Sequence, residues 1–512
     1  MGIVSILTVM VALAGYVREA TLAARFGLSA TMDAYFGATF VPTLAYMILV
    51  AGTLSPVFIP ILLQYNAVAD RAKLSEVFSV LTNFVLLVLA GVALVGMISA
   101  GKWMPLLFPG YSAATLRTSV QLIYIIFPSV LFVALAGVFT SALNGFHKFA
   151  LAAFAPAVSS IAVTSAALLA RGDQAVYVVG AATAIGFFLQ FALLVPATWA
   201  LGIRYRPVFN LRHPAIAKLL RLGGPLFLYI STSNVMLFVE RNLASRLPVG
   251  SVSAINYATR LFAVPSNFLA APLAIVAYPH FATEALREGY GGLRAQVAEM
   301  LRMVIFLFLP ITAWTVLNAL PLTRLLYERG QFRPEDSLAT SRVLMLYGIG
   351  ILPFAIGVVL LRCFYAIQDT ITPFVAELIG LCFYAAAAPA LSRAMGLEGL
   401  ALTRGVSFYL VAAIFVMVLW RKRQVLALDL DLALFSVRVA VAAGVMAVVS
   451  WLTLHLLQPW FDSSRTPGRG LVVLAVFLAS GLTFLAVAQT LKLHQVQRIL
   501  KTARELLPAN GR

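Results

Sequence analysis

Along the chain, apolar residues run in stretches of about 20, broken only by short polar connections. Fourteen stretches can be marked, near residues 3–25, 33–64, 74–100, 115–143, 149–170, 175–201, 223–247, 251–283, 300–325, 337–366, 372–393, 396–420, 433–457 and 470–492. Each is long enough to cross a hydrocarbon core of roughly 30 Å as a helix. Strict alternation over about 10 residues, the pattern of a transmembrane barrel strand, is missing. The first stretch leads straight into further spans, so it reads as a retained helix and not a cleaved leader. The expected fold is an all-α integral membrane protein of about 14 transmembrane helices. Prolines and glycines interrupt several spans (Pro42, Gly52, Pro56 and Pro60; Pro265 and Pro272; Pro353) and predict bends there.

The pattern also repeats. "EATLAARF" (19–26) resembles "ERNLASRL" (240–247). Val41-Pro42 followed by "PVF" (56–58) is matched by Val264-Pro265 followed by "PHF" (279–281), and "ALNG" (142–145) by "AIQD" (366–369). The three ordered matches share an offset of 221–224 residues. They predict two pseudo-symmetric six-helix lobes of like orientation, with two C-terminal helices added. The domain reading is 1–201 for the N-lobe, 202–222 for a linker, 223–420 for the C-lobe, and 421–512 for the last two spans and a tail. Transporters built from such parallel repeats place substrate where the repeats meet.

Composition supports the membrane class: 62% of residues are hydrophobic, 11% are charged, and the mean hydropathy is +0.95. The net charge of +18 is first a topological signal, since basic residues collect in cytoplasmic loops. The linker "GIRYRPVFNLRHPAIAKLLRLGG" (202–224), "DRAK" (70–73), "HK" (147–148), "RKR" (421–423) and a tail with Lys492, Arg498, Lys501 and Arg504 all fall on one side. The bias predicts a multi-pass protein with both termini cytoplasmic. It also predicts that the linker is an amphipathic helix on the membrane surface. No soluble basic domain exists to bind nucleic acid. Cys363 and Cys382 lie in apolar stretches and suggest neither a disulfide nor a metal site. There is no phosphate-loop or H-E-x-x-H pattern, so neither an enzyme nor a cofactor is expected.

A few charges break the apolar pattern, and charge inside a span is costly enough to suggest function. Arg18 and Arg25 are seven residues apart on one helical face, with Glu19 beside the first; Asp33 follows in the next span. The second copy carries Glu240, Arg241 and Arg246, then Ser253 and Arg260 within "SVSAINYATRLFAVP", then Arg362. Arginine suits a phosphate or diphosphate, because its planar fork makes two parallel charge-assisted hydrogen bonds and stays protonated. Glu19 and Asp33 could neutralise the arginines of an empty cavity. Glu240 and Glu377 could bind a proton or Na⁺. The bland alternatives are snorkelling of Arg25 and Arg246 to headgroups, and simple ion pairing of the two glutamates.

"GYVREATLAARFGLSATMDAYFGATFVPTLAYMILVAGTLSPVFIPIL", "SVSAINYATRLFAVPSNFLAAPLAIVAYPHF" and "LRCFYAIQDTITP" resemble the signatures of the MviN/MurJ lipid II flippases of the MOP exporter superfamily. The likeness runs over nearly the whole chain. It implies an alternating-access flippase that moves an undecaprenyl-diphosphate-linked saccharide from the cytoplasmic to the periplasmic leaflet. It implies Arg18, Asp33, Ser253 and Arg260 as cavity residues; the charge pattern itself adds Glu19, Arg25, Arg241 and Arg362 as candidates for the same cavity. It further implies a groove for the prenyl tail in the last two spans, coupling to Na⁺, H⁺ or membrane potential, and association with membrane lipids and the envelope-synthesis machinery. The chain departs from the family pattern at Ala12, Phe40, Thr43, Tyr46-Met47 and Ala51-Gly52, where charged or polar residues are usual. These departures leave open a different headgroup, an exopolysaccharide or O-antigen unit on the same lipid. A drug or cation antiporter of the same superfamily is the further alternative; it would carry acidic and aromatic groups where this chain has arginines.

Overall fold

The computed structural model describes residues 2–45, 55–66, 71–287, 291–421, 424–426, 429–463 and 466–496. The departures at Tyr46-Met47 and Ala51-Gly52, and the tail residues Arg498, Lys501 and Arg504, lie outside the described residues. Every regular element among the described residues is helical. In order these are α1 (Gly2–Phe26), α2 (Ala30–Ala45), α3 (Ser55–Asn66), α4 (Arg71–Ile98), α5 (Ala100–Leu107), α6 (Ala113–Ile126) and α7 (Ser129–Gly145). There follow α8 (Phe149–Leu169), α9 (Ala175–Ala200), α10 (Pro214–Ser245), α11 (Ser251–Pro265), α12 (Ala271–Ala285), α13 (Gly291–Leu317) and α14 (Ala319–Tyr327). The last six are α15 (Pro334–Gly348), α16 (Ile351–Ala366), α17 (Ile371–Met395), α18 (Leu397–Arg421), α19 (Leu430–Ser463) and α20 (Thr466–Thr490).

Ten helices are long and apolar enough to span a bilayer, and two bent pairs bring the number to 12. Of the other two expected spans, the one near 33–64 contains residues outside those described and the one near 223–247 is helical within α10, so a count of fourteen is consistent with the structure. The bent pairs are α6 with α7, at 43°, and α15 with α16, at 44°. Pro128, which has no N–H to donate, stands at the first break, and Gly350 at the second. After Pro265 the helix passes through one π turn, Ser266–Ala270, before α12 continues it.

By contact the chain divides into two compact units, Met1–Ser253 with Arg329–Arg333, and Ala254–Glu328 with Pro334–Arg512. The internal repeat is visible in each. In the first unit α8 packs on α9, α7 on α9, α3 on α7, and α4 on α7; in the second, α17 packs on α18, α16 on α18, α12 on α16, and α13 on α16. Backbone conformation repeats as well. The left-handed residues Gly27, His147 and Gly172 have counterparts in Gly250, Gln368 and Gly396 at the same offset. A helix that stops in the left-handed region returns its last carbonyls to following N–H groups. Lys148 N donates to Leu143 O, and Asp369 N to Phe364 O, both at 2.9 Å. α10 breaks the symmetry: it opens the second copy in sequence but packs on α3, α4 and α5 of the first unit.

The first unit has a core of stacked aromatic and aliphatic side chains, with Phe78 edge-on to Phe139 at 5.1 Å and Phe139 edge-on to Phe191 at 5.1 Å. In the second, α19 and α20 pack on α13 through Phe306, Met446 and Phe484. Large apolar residues such as Val88, Val92 and Val95 of α4, and Val437, Val441 and Val448 of α19, are exposed. In water such faces would drive aggregation; in lipid they are the normal exterior.

The linker differs from expectation. Ile203–Asn210 is not helical but extended alongside α4. Arg204 N donates to Ser75 Oγ at 3.1 Å and Arg206 N to Ser79 Oγ at 2.8 Å, while Asn83 Nδ2 donates to Val208 O at 2.9 Å. Two residues of strand advance about as far as four residues of helix, roughly 6.6 against 6.0 Å. Alternate linker residues therefore meet Ser75, Ser79 and Asn83 in register. Helix resumes only at Pro214, where His213 Nδ1 accepts from Ala215 N at 3.1 Å and proline occupies the first turn. A segment rich in arginine was read as an amphipathic helix because charge periodicity does not reveal hydrogen-bonding side chains on another helix.

Candidate functional site

The first unit gathers several of the expected charges around the start of α11. Asp33, in the first turn of α2, is buried at 4% exposure. Its Oδ1 accepts from Ser253 N at 2.8 Å and Ser253 Oγ at 2.6 Å, and its Oδ2 accepts from Gly250 N at 2.7 Å. These donors surround the N-terminus of α11, where backbone N–H groups have no partner within the helix. Asp33 thus caps α11 from a residue 220 positions away, placing a carboxylate at the positive end of the helix dipole. Gly250 has a φ of +92°, and a Cβ there would stand 2.7 Å from Leu28 Cβ. Only glycine brings this N–H to the carboxylate.

Arg241 of α10 closes the other side. Its Nη1 donates to Val252 O at 2.9 Å, its guanidinium lies 6.0 Å from the Phe40 ring centroid, and its charge reaches Asp33. Tyr111, in the connection between α5 and α6, donates to Asp33 O at 2.8 Å and stacks on Phe108 at 4.8 Å. Burial pushes the Tyr111 phenol well above its ordinary value, and the Asp33 charge acts in the same direction, so it remains a donor.

Arg18 forms an ion pair with its neighbour Glu19 at 2.7 Å; the two side chains are 22% and 3% exposed. Arg25 does not join it. Its Nη2 donates to Ala170 O at 2.7 Å, the carbonyl at the C-terminal cap of α8. That contact satisfies a helix end and favours its dipole. Glu240 is buried within α10 at 1% exposure. Of the remaining expected residues, Arg260 is exposed on α11, Arg362 lies on α16 and Glu377 on α17, all in the second unit.

Unmet hydrogen-bonding demand in the second unit includes arginine. Arg362 Nε and Arg404 Nη1 are buried donors without an acceptor. Leaving a charged donor unpaired costs at least about 1–3 kcal/mol, so such groups mark a place for an anion. Arg404 lies 5.0 Å from the Phe408 centroid, and Phe408 stacks on Phe262 at 5.7 Å and meets Phe354 edge-on at 5.2 Å. Glu377 sits in the field of Arg404. Arg404 was passed over in the sequence reading, though the signal that singled out Arg260 applies to it: an arginine inside an apolar span, here in "ALTRGVSF". Tyr111 carried no such signal, because a tyrosine in a short connection is unremarkable until its partner is known. Among the described residues no group of three or more His, Cys, Asp or Glu is placed to hold a metal.

Comparison with known proteins places this arrangement. The family model described as "Lipid II flippase MurJ" matches residues 22–468. This chain belongs to the MurJ family. The curated "Probable lipid II flippase MurJ" of Bdellovibrio bacteriovorus is 28% identical over 96% of this chain and 94% of its own length. Among solved structures, "Lipid II flippase MurJ, inward closed conformation" covers 96% of this chain and 100% of its own at a TM-score of 0.81 and 21% identity. An inward-facing multidrug resistance MATE family transporter of the MOP superfamily covers 82% of this chain and 98% of its own at a TM-score of 0.67 and 14% identity. Both structural likenesses concern the fold. The MurJ assignment rests on the sequence match, and it makes the chain a transporter, not an enzyme.

Proposed function

We propose that this chain is an alternating-access flippase that carries lipid II, the undecaprenyl-diphosphate-linked peptidoglycan precursor, across the inner membrane toward the periplasm, with both chain termini in the cytoplasm. The observation that supports this reading beyond family membership is the choice of buried charge. Arg362 and Arg404 hold buried donors with no acceptor, and an antiporter for drugs or cations would need the opposite polarity. A diphosphate supplies acceptors for several guanidinium groups at once, at short range and low dielectric.

Within this reading Arg18 of the first unit and Arg260 of the second are each assigned to cargo, and Arg362 and Arg404 satisfy their free donors on an anionic headgroup. Asp33 is a positioning residue, holding the start of the helix that carries Ser253 and Arg260. Glu240 on α10 and Glu377 on α17 are the carboxylates assigned to coupling with an ion or with membrane potential.

The test is growth of cells depleted of their own lipid II flippase and supplied with this gene. Restored growth is expected, with loss of rescue by Arg18→Ala and by Arg260→Ala at equal membrane abundance. Failure of the well-expressed wild-type protein would exclude lipid II as cargo. Full rescue by both variants would exclude the diphosphate grip.

A further inference from the structure

A recess of about 640 Å³ opens in the second unit, where the N-terminal parts of α13 and α19 meet the chain leaving α20. That is the size of a small-molecule site. Arg302 of α13, Arg438 of α19 and Lys492 after α20 line it, and among the described residues no ion pair forms at any of the three. Glu299, which has an interaction of its own, and Asp431 line it too. Among the described residues, three cations and two carboxylates therefore line the recess.

The second feature is Gln495. It lines the recess, is only 5% exposed, and its Oε1 is buried without a hydrogen-bond partner. A buried amide oxygen left unpaired calls for a donor. Cations for an oxyanion and an acceptor for a hydroxyl or ammonium group therefore lie in one recess. Its wall is amphiphilic: Leu434 and Phe435 line it, and Leu434 begins an exposed apolar face that continues through Val437, Val441, Val445 and Val448 of α19.

We propose that this recess binds a monoanionic phosphodiester that carries a hydroxyl donor. Arg302, Arg438 and Lys492 hold the phosphate, and Gln495 Oε1 accepts from the hydroxyl. The source that fits the apolar face is a bilayer phospholipid such as phosphatidylglycerol, with its acyl chains along α19. The site is independent of the arginines assigned to cargo.

Full-length protein in detergent would be titrated with short-chain phosphatidylglycerol, with short-chain phosphatidylcholine, and with inorganic phosphate, reading bound ligand by native mass spectrometry and the unfolding temperature. Phosphatidylglycerol is expected to bind and to raise the unfolding temperature above the phosphatidylcholine control. Arg302→Gln combined with exposed Arg438→Gln is expected to weaken it about tenfold or more, the worth of lost charge-assisted hydrogen bonds. Gln495→Leu, which removes the acceptor, is expected to abolish the preference over phosphatidylcholine. Saturation by inorganic phosphate at similar concentration would support the anion chemistry but assign it to a soluble source. Equal binding of both lipids, or phosphatidylglycerol binding unchanged in the arginine variant and in Arg438→Gln alone, would overturn the proposal.

Discussion

Asp33 illustrates how far a residue's role can move between sequence and structure. An aspartate beginning the second span suggested a counter-ion for cavity arginines. Its two oxygens instead receive three hydrogen bonds from Gly250 and Ser253. Asp33→Ala would leave two buried backbone N–H groups unpaired, a loss of about 2–4 kcal/mol from two such groups. Asp33→Asn would keep the acceptor for Ser253 but turn a donor toward Gly250 N, and should lie between wild type and alanine. Thermal unfolding in detergent, with the order Ala below Asn below wild type, checks this. The coupling assignment is tested at the same scale: Glu240→Gln and Glu377→Gln are each expected to alter the ion dependence of transport, and flipping measured in vesicles at varied Na⁺, pH and potential checks both.

At the scale of elements, two glycines related by the repeat do the same job. A Cβ on Gly110 would stand 2.0 Å from Ser245 O, and one on Gly330, at φ +59°, would stand 2.2 Å from Ala24 O. Ser245 and Ala24 are themselves related by the repeat, so each connection rests its glycine on the end of the other copy's first helix. Gln331 N then donates to Ala24 O at 2.7 Å, and Asn242 Nδ2 reaches Leu106 O at 3.0 Å. Backbone atoms cannot yield as a side-chain tip can. Gly110→Ala and Gly330→Ala should each cost at the upper end of the roughly 1–3 kcal/mol typical of overpacking. Gly101→Ala, with nothing within 4 Å of its Cβ, should be silent. Membrane abundance and unfolding temperature of the three variants test this. The linker along α4 belongs to the same scale. Its extended form was illegible because the hydroxyls of Ser75 and Ser79 that hold it lie over 120 residues earlier.

For the whole molecule, buried arginine is a compromise between stability and transport. Donors left unpaired at Arg362 and Arg404 weaken the protein without cargo, so relieving them should stabilise it while removing function. Arg404→Gln is expected to unfold at the same or a higher temperature than wild type yet fail to rescue flippase-depleted cells. A lower unfolding temperature together with full rescue would contradict that assignment.

Sequence alone determined that the chain lives in a membrane, roughly where it crosses, that it is built from two copies, and which family it joins. These properties are carried by local hydropathy and by ordered matches that survive at a fixed offset, and neither requires knowing what touches what. Sequence also exposed Arg18, Asp33 and Arg260, because charge in an apolar run is conspicuous wherever it points. Tertiary structure alone decided the partners. It sent Arg25 to the end of α8, brought Asp33 to a helix start 217–220 residues away, and laid the linker along α4. Hydrogen bonds act over about 3 Å, and only the folded chain says which groups come that close.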